Sequence, residues 1–134
     1  MHTTTPAEAR ALADDASEAI RALNHATHPA DWCPGLLHPA DAYAVLGALH
    51  ELVYRLPQLF AHISAFLQRL LQHDVIAIDG GDYVDDSLGA IGTASNELEG
   101  PATEAARRMA VALDAARQAI AFATYTGEPF QDDG

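Results

Sequence analysis

The stretch of residues 25–41, HATHPADWCPGLLHPAD, holds the side chains in this chain that are best suited to chemistry. It contains three of the seven histidines, the only tryptophan and the only cysteine. Imidazole and thiolate groups are ligands that zinc accepts, so the candidate metal ligands are His25, His28, Cys33 and His38. Three of these four residues directly precede a proline, and the paired spacing of structural zinc sites is missing. Metal binding is therefore kept as an alternative hypothesis, and no cofactor is predicted.

The tetrapeptide HPAD occurs twice in this stretch, at residues 28–31 and 38–41. Proline suits the first turn of a helix, and an aspartate two residues later meets the positive end of the helix dipole. The histidine before each proline is biased towards extended backbone. We interpret the second HPAD as the start of a long helix. The first would start a single turn that ends at residues 33–35, Cys-Pro-Gly.

No other part of the sequence shows a catalytic or ion-binding motif. The aspartates of residues 74–86 do not follow the alternating pattern of an EF-hand loop, and we interpret them as loop and helix-capping residues. The chain has no glycine-rich phosphate loop and no nucleophile motif. His50, His62 and His73 fall on or near the polar side of a predicted helix. No catalytic residue is assigned, and the chain is predicted not to be an enzyme.

Apolar spacing predicts two helices in the first half of the chain. Thr5, Pro6 and Glu8 form a helix-start signal, and an apolar stripe follows, which predicts a helix over 6–25. A strict seven-residue repeat predicts a second helix over 39–73, in which Pro57 causes a kink rather than a stop. The main row of this repeat is Val45, Leu49, Leu52, Leu56, Leu59, Ile63, Phe66 and Leu70, flanked by Leu46, Val53, Phe60 and Leu67.

A third helix is predicted over 85–125, and it contains the pair Gly100-Pro101. The heptad spacing continues across this pair, through Met109 and Leu113, so one kinked helix is favoured over a hairpin. The fold class is then all-α, an antiparallel bundle of three long helices. A split at Gly100-Pro101 would give a four-helix bundle instead.

Composition predicts one folded domain. A chain of 134 residues with 49% hydrophobic residues can bury a core, so residues 1–134 are taken as a single domain with a frayed tail over 127–134. No apolar run is long enough to span a bilayer, and the N-terminus does not resemble a secretory signal. A single cysteine fits a reducing compartment, so a cytoplasmic location without membrane association is expected.

The charge is strongly acidic and unevenly distributed. The net charge is −12, and all seven basic residues are arginines. Residues 1–73 carry 4 arginines against 7 acids, whereas residues 74–134 carry 3 arginines against 12 acids. The two halves therefore contribute −3 and −9. Such a surface repels phosphates, which argues against direct nucleic-acid binding.

The run HPADAYAVLGALHELVYRLPQLFAHISAFLQRLL, together with LDAARQAIAFA, resembles small uncharacterised helical-bundle proteins of actinomycetes. These proteins are loosely associated with plasmids and integrated mobile elements. The resemblance covers the second and third predicted helices and implies a helical bundle with an accessory role. It carries over no catalytic or binding residue, because the shared motifs are heptads and a helix start.

Three functions remain open from the sequence. The leading one is a non-catalytic helical interaction protein that self-associates or docks a partner helix, based on the long heptad stripe. The second is an acidic regulator that masks the DNA-binding surface of another protein, based on the −9 of residues 74–134. The third is a metal-binding module that uses the four histidine and cysteine ligands.

Overall fold

The computed structural model describes residues 3–29, 35–73 and 83–123, with the backbone alone for 83–87. The described part is all-α and contains no strand. Its helices are α1 (Pro6–Ala26), α2 (Pro39–Gln72), α3 (Tyr83–Glu97) and α4 (Thr103–Ala119). A π-helical segment, Leu98–Ala102, joins α3 directly to α4. None of the described helices is long and apolar enough to cross a membrane.

The predicted boundaries of the first two helices agree with the observed ones to within one residue. The C-terminal helix, predicted to end at residue 125, ends instead at Ala119, because the N–H groups of Ile120 and Ala121 donate to carbonyls only three residues earlier, as in a turn. The start of α1 is confirmed as a capped turn, because Thr5 Oγ1 accepts a hydrogen bond from the Glu8 N–H at 3.2 Å. Helix α2 continues through Pro57, as expected. The predicted tail, 127–134, lies outside the described residues, and the single-domain assignment stays a prediction.

The chain divides into two compact units. One comprises Met1–Ala42 with Ala123–Gly134, and the other comprises Tyr43–Phe122. In the first unit, α1 has no buried residue, and Leu12 is 65% exposed. The chain returns to the end of α1 at Gly35, whose N–H donates to the Ala26 carbonyl oxygen at 2.9 Å. This hydrogen bond holds Gly35 against the C-terminal end of α1.

The second unit is an antiparallel hairpin in which α2 pairs with α3 and α4. Three contacts define the pairing. Val53 packs in one cluster with Ala106 and Ala110 near the middle of the hairpin. Towards the end of α2, Gln68 Nε2 donates to Ser95 Oγ at 3.4 Å.

At the opposite end of the hairpin, Arg117 packs against the beginning of α2. Its Cζ lies 5.2 Å from the centre of the Tyr43 ring, within cation–π range. A Cβ added at Gly47 would come 3.4 Å from Arg117 Nη1, so the missing side chain leaves room for the guanidinium. Arg117 Nη2 also donates to Asp114 Oδ1 at 3.0 Å, which neutralises the charge inside the hairpin.

The hairpin core combines small and polar buried side chains with larger apolar ones. The buried residues among those described in this unit are Val53, Ser64, Ile91, Ser95, Thr103, Ala106 and Ala110. Leu56, Phe60 and Leu113 are partly buried and pack against the cluster of Val53, Ala106 and Ala110. Ser64 is completely buried, and Gln68 Nε2 also donates to its Oγ at 3.3 Å. The hydrogen bonds from Gln68 offset the desolvation of the buried hydroxyl groups.

The C-terminal helix remains continuous across Gly100-Pro101, as expected. Its heptad phase, however, is interrupted at this pair. Pro101 has no N–H, so the carbonyl of Glu97 loses its α-helical partner. The backbone responds with a π-helical segment, and Thr103 Oγ1 donates to the Leu98 carbonyl at 2.7 Å. A π-helical turn adds one residue and rotates everything after it.

The added residue changes which side chains face α2. The uninterrupted phase would place Met109 in the core, but Met109 is 52% exposed. The buried positions of α4 are instead Thr103, Ala106 and Ala110. The expectation that the phase survives the proline is therefore wrong for Met109, and the π-helical segment is the physical reason. Leu113, which the same phase assigns to the core, does pack against the buried cluster.

Gly35 provides a test of the contact at the C-terminal end of α1. A Cβ at this position would come 2.8 Å from the Ala26 carbonyl oxygen, and backbone atoms cannot easily move away. We expect Gly35→Ala to lower the free energy of unfolding by about 1–3 kcal/mol, measured by urea denaturation. Gly92→Ala is the matched control, because no atom lies within 4 Å of its added Cβ. In that helix interior, alanine should stabilise by about 0.5–1 kcal/mol. Equal stability of the two variants would contradict the close contact at Gly35.

Candidate interaction surface

The four candidate metal ligands occupy the connection between α1 and α2. His25 lies in the last turn of α1, His28 lies two residues beyond that helix, and His38 immediately precedes α2. Cys33 lies outside the described residues. Within the described ranges, no group of three or more His, Cys, Asp or Glu side chains is placed to hold a metal ion. The four-ligand zinc site thus stays a hypothesis that depends on Cys33.

The second HPAD acts as a helix start. Asp41 Oδ2 accepts from the N–H groups of Leu37 at 2.9 Å and His38 at 2.8 Å. His38 Nδ1 lies 3.7 Å from the same oxygen. The two backbone hydrogen bonds, from Leu37 first and His38 second, lower the pKa of the Asp41 carboxyl below its ordinary value of 3.8. The carboxylate thereby satisfies donors that the first turn of α2 leaves without intrahelical partners.

The first HPAD and the aspartates of residues 74–86 lie mostly outside the described residues. Asp31 of the first HPAD is not described, so its role as a helix start stays a prediction. The same holds for the capping roles expected of the aspartates in 74–86. Helix α3 begins at Tyr83, two residues before the predicted start.

The polar side of α2 carries a shallow groove rather than an enclosed site. The groove surrounds Pro57, has a volume of about 310 Å³, and also contacts Tyr54 and Arg107. One turn earlier, the His50 ring stacks against the Tyr54 ring with centroids 6.2 Å apart. Tyr54 is 73% exposed, so its ring faces solvent. This stacking is an i, i+4 contact along one helix, and it positions no pair of groups for proton transfer.

A row of large apolar side chains remains exposed along one side of the hairpin. Leu52, Leu59, Ile63 and Phe66 of α2 are 39%, 49%, 41% and 48% exposed. On a helical wheel they lie roughly 100° from the row of Val53 and Ser64 that faces the partner helix. These four belong to the main heptad row that the sequence suggested would face the core.

Met109 extends this exposed row onto α4. It lies roughly 80° from the buried row of α4, in the same rotational sense as the exposed row of α2. Because the two helices run antiparallel, equal rotational offsets point to the same side of the hairpin. We therefore define the apolar face as Leu52, Leu59, Ile63, Phe66 and Met109.

Charged residues lie off the apolar face and form ion pairs along each helix. Glu51 pairs with Arg55 at 3.9 Å on α2, and Glu104 pairs with Arg108 at 3.1 Å on α4. All four side chains are more than half exposed, so these pairs contribute little to stability. The Glu104–Arg108 pair lies on the Val111 side of α4. None of the five residues that form the face is ionisable.

The heptad pattern identified these apolar residues, and the structure confirms part of the environment that it predicted. Leu56 of the main row and Phe60 of the flanking row pack against the buried cluster of Val53, Ala106 and Ala110. The expectation is wrong for the exposed residues, which are Leu52, Leu59, Ile63, Phe66 and Met109. On α4 the signal in the sequence is Pro101, because the π-helical segment at this proline rotates the residues that follow it.

Comparison with known proteins gives no relative: no protein-family model, no curated protein and no solved structure matches this chain. The apolar face and the helix-start contacts are consequently interpreted from their own geometry.

Asp41 provides a pH-dependent test of the second HPAD. Its pKa is lowered in the folded protein, so its charge contributes stability above the ordinary value of 3.8, and this contribution disappears as the pH falls through the folded pKa. We expect Asp41→Asn to have a lower urea midpoint than the wild type at pH 7, and the difference to shrink below about pH 4. Asp14→Asn, an exposed change in the middle of α1, is the control. A constant difference across this pH range would contradict the role assigned to the Asp41 charge.

Proposed function

We propose that this chain is a non-catalytic helical interaction protein that binds through the apolar face, either by self-association or by docking a partner helix. The single observation that supports the proposal most strongly is that five large apolar side chains on one side of the hairpin are each 39–52% exposed. Contiguous apolar surface of this kind marks interaction sites on folded proteins.

The size of the apolar face is consistent with binding. Its five side chains expose roughly 400 Å² of apolar surface in each chain. At about 25 cal/mol per Å², covering that surface contributes on the order of 10 kcal/mol. Association costs roughly 4–15 kcal/mol in translational and rotational freedom. This chain's side of the contact alone therefore offsets much of the cost, and an apolar partner surface adds to it.

The antiparallel bundle of three long helices is part of the same proposal. The pairing of α2 with α3 and α4 supports antiparallel packing around the hairpin. The accessory role implied by the resemblance to helical-bundle proteins of actinomycetes also remains a proposal, as does the absence of direct nucleic-acid binding.

The acidic-regulator alternative receives less support from the described residues. Glu51, Glu104 and Asp114 each pair with an arginine three or four residues away. Such pairs do not form an uncompensated acidic stripe that would imitate a nucleic-acid backbone. Much of the −9 of residues 74–134 comes from aspartates outside the described ranges, so this function ranks second.

Cysteine labelling tests whether a partner covers the apolar face when the protein is in its host cells. In a Cys33→Ser background, Leu59→Cys places a thiol on the apolar face. Val111→Cys places one at a 71% exposed position on the other side of α4. In native host cells treated with a membrane-permeant maleimide, we expect Cys at position 59 to react at least about tenfold more slowly than Cys at position 111, because a partner excludes the reagent.

Equal labelling rates at the two positions in cells would contradict the proposed function. The same measurement on purified protein at several concentrations distinguishes a second copy of the chain from a different protein as the occupant of the apolar face. Protection that disappears on dilution indicates self-association, whereas protection found only in cells indicates a different protein. Protection that is independent of concentration in the purified chain would show that the chain covers its own face, which also contradicts the proposal.

A further inference from the structure

We propose that the occupant of the apolar face is a second copy of this chain, and that two hairpins pair about a two-fold axis to form a four-helix arrangement. This inference rests on the proposed function, because it names the partner of the same face. Shape, helix register and charge support it separately.

The exposed surfaces of α2 and α4 differ in a way that makes the face self-complementary. On α2 the face consists of large side chains, from Leu52 to Phe66. On α4 it consists of Met109 flanked by exposed small residues, which are Ala105, Ala112 and Ala116. A two-fold axis parallel to the helices lays α2 of each copy over α4 of the other. Large side chains then meet small ones in both halves of one isologous interface.

This axis also preserves the register and direction of the helices. Contacts within the hairpin place position 53 level with positions 106 and 110. Rotation about an axis parallel to the helices leaves every residue at its own height. Leu52 of one copy therefore comes level with Met109 of the other, and each helix has only antiparallel neighbours. The alternative axis, perpendicular to the helices, would stack the large row of α2 on itself.

Charge favours a second copy over a basic partner. The chain carries a net charge of −12, yet the five residues of the apolar face include no carboxylate. A basic protein would be recognised by carboxylates at the contact, and Glu51, which precedes Leu52 in the sequence, is already paired with Arg55. Electrostatic repulsion between two acidic copies acts over longer distances than the apolar contact, and dissolved salt screens this repulsion.

The available area is compatible with a dimer. Two copies of the apolar face contribute roughly 800 Å² from the large side chains alone, against about 1,200–2,000 Å² for a standard interface. The exposed alanines of α4 and the edges of both helices supply further area. The five large side chains therefore supply about 40–65% of the area of a standard interface.

Disulfide cross-linking between two different single-cysteine proteins tests the arrangement. Leu52→Cys and Met109→Cys, each in the Cys33→Ser background, are mixed in equal amounts and oxidised with copper phenanthroline. Only cross-links between chains can form in this design. We expect a covalent dimer of the two variants at least about tenfold faster than in a mixture of Leu52→Cys with Val111→Cys, whose thiol points away from the face.

Equal rates in both mixtures would indicate random collision and overturn the proposal, as would faster cross-linking of Leu52→Cys with itself. A second variant guards against misfolding of the cysteine proteins. Leu59→Ser introduces a polar group at a half-exposed position, so helicity by circular dichroism should persist while the dimer dissociation constant rises on the order of tenfold. Val111→Ser should leave that constant unchanged. A purified wild-type chain that stays monomeric, with position 59 still protected in cells, would overturn the second copy while leaving the proposed function intact.

Discussion

The contact between α2 and the C-terminal helix depends on one missing backbone donor. Pro101 cannot hydrogen-bond to the carbonyl of Glu97, and the chain accommodates this loss with a π-helical segment instead of a break. The additional residue rotates α4 so that Thr103, Ala106 and Ala110 face α2. The hairpin core, the exposure of Met109 and the position of the apolar face all follow from that rotation.

The hairpin leaves part of its large apolar surface uncovered. Val53, Ala106 and Ala110 form its buried cluster, and Leu56, Phe60 and Leu113 pack against that cluster. Towards the end of α2, Gln68 bridges the hydroxyl groups of Ser64 and Ser95. Leu59 and Phe66 remain half-exposed on the adjacent side. In our proposal, association with a second copy covers this face.

Local signals in the sequence predicted the helices well, because each depends on residues near one another. Thr5 and Pro6 mark the start of α1, and Pro39 with Asp41 marks the start of α2. The side of each helix that is buried depends on its partner, and here the prediction was only partly right. The heptad of α2 assigned both its main and its flanking row to the core. Val53 and Phe60 of the flanking row do pack there, whereas Leu59 and Phe66 of the main row stay exposed. The difference depends on the phase of α4 beyond Pro101, which no signal within α2 reports. The role of the histidine-rich connection is likewise only partly predictable, since Asp41 acts within its own turn whereas a metal site would need long-range convergence with Cys33.

The central claim is that the apolar face binds a second copy of this chain. Sedimentation equilibrium of the untagged wild-type chain between about 1 and 100 μM, at low and at high sodium chloride, tests it most directly. We expect a reversible change from one to two chain masses as concentration rises, with tighter association at high salt because repulsion between acidic copies is screened. A single chain mass at every concentration and salt level would contradict it.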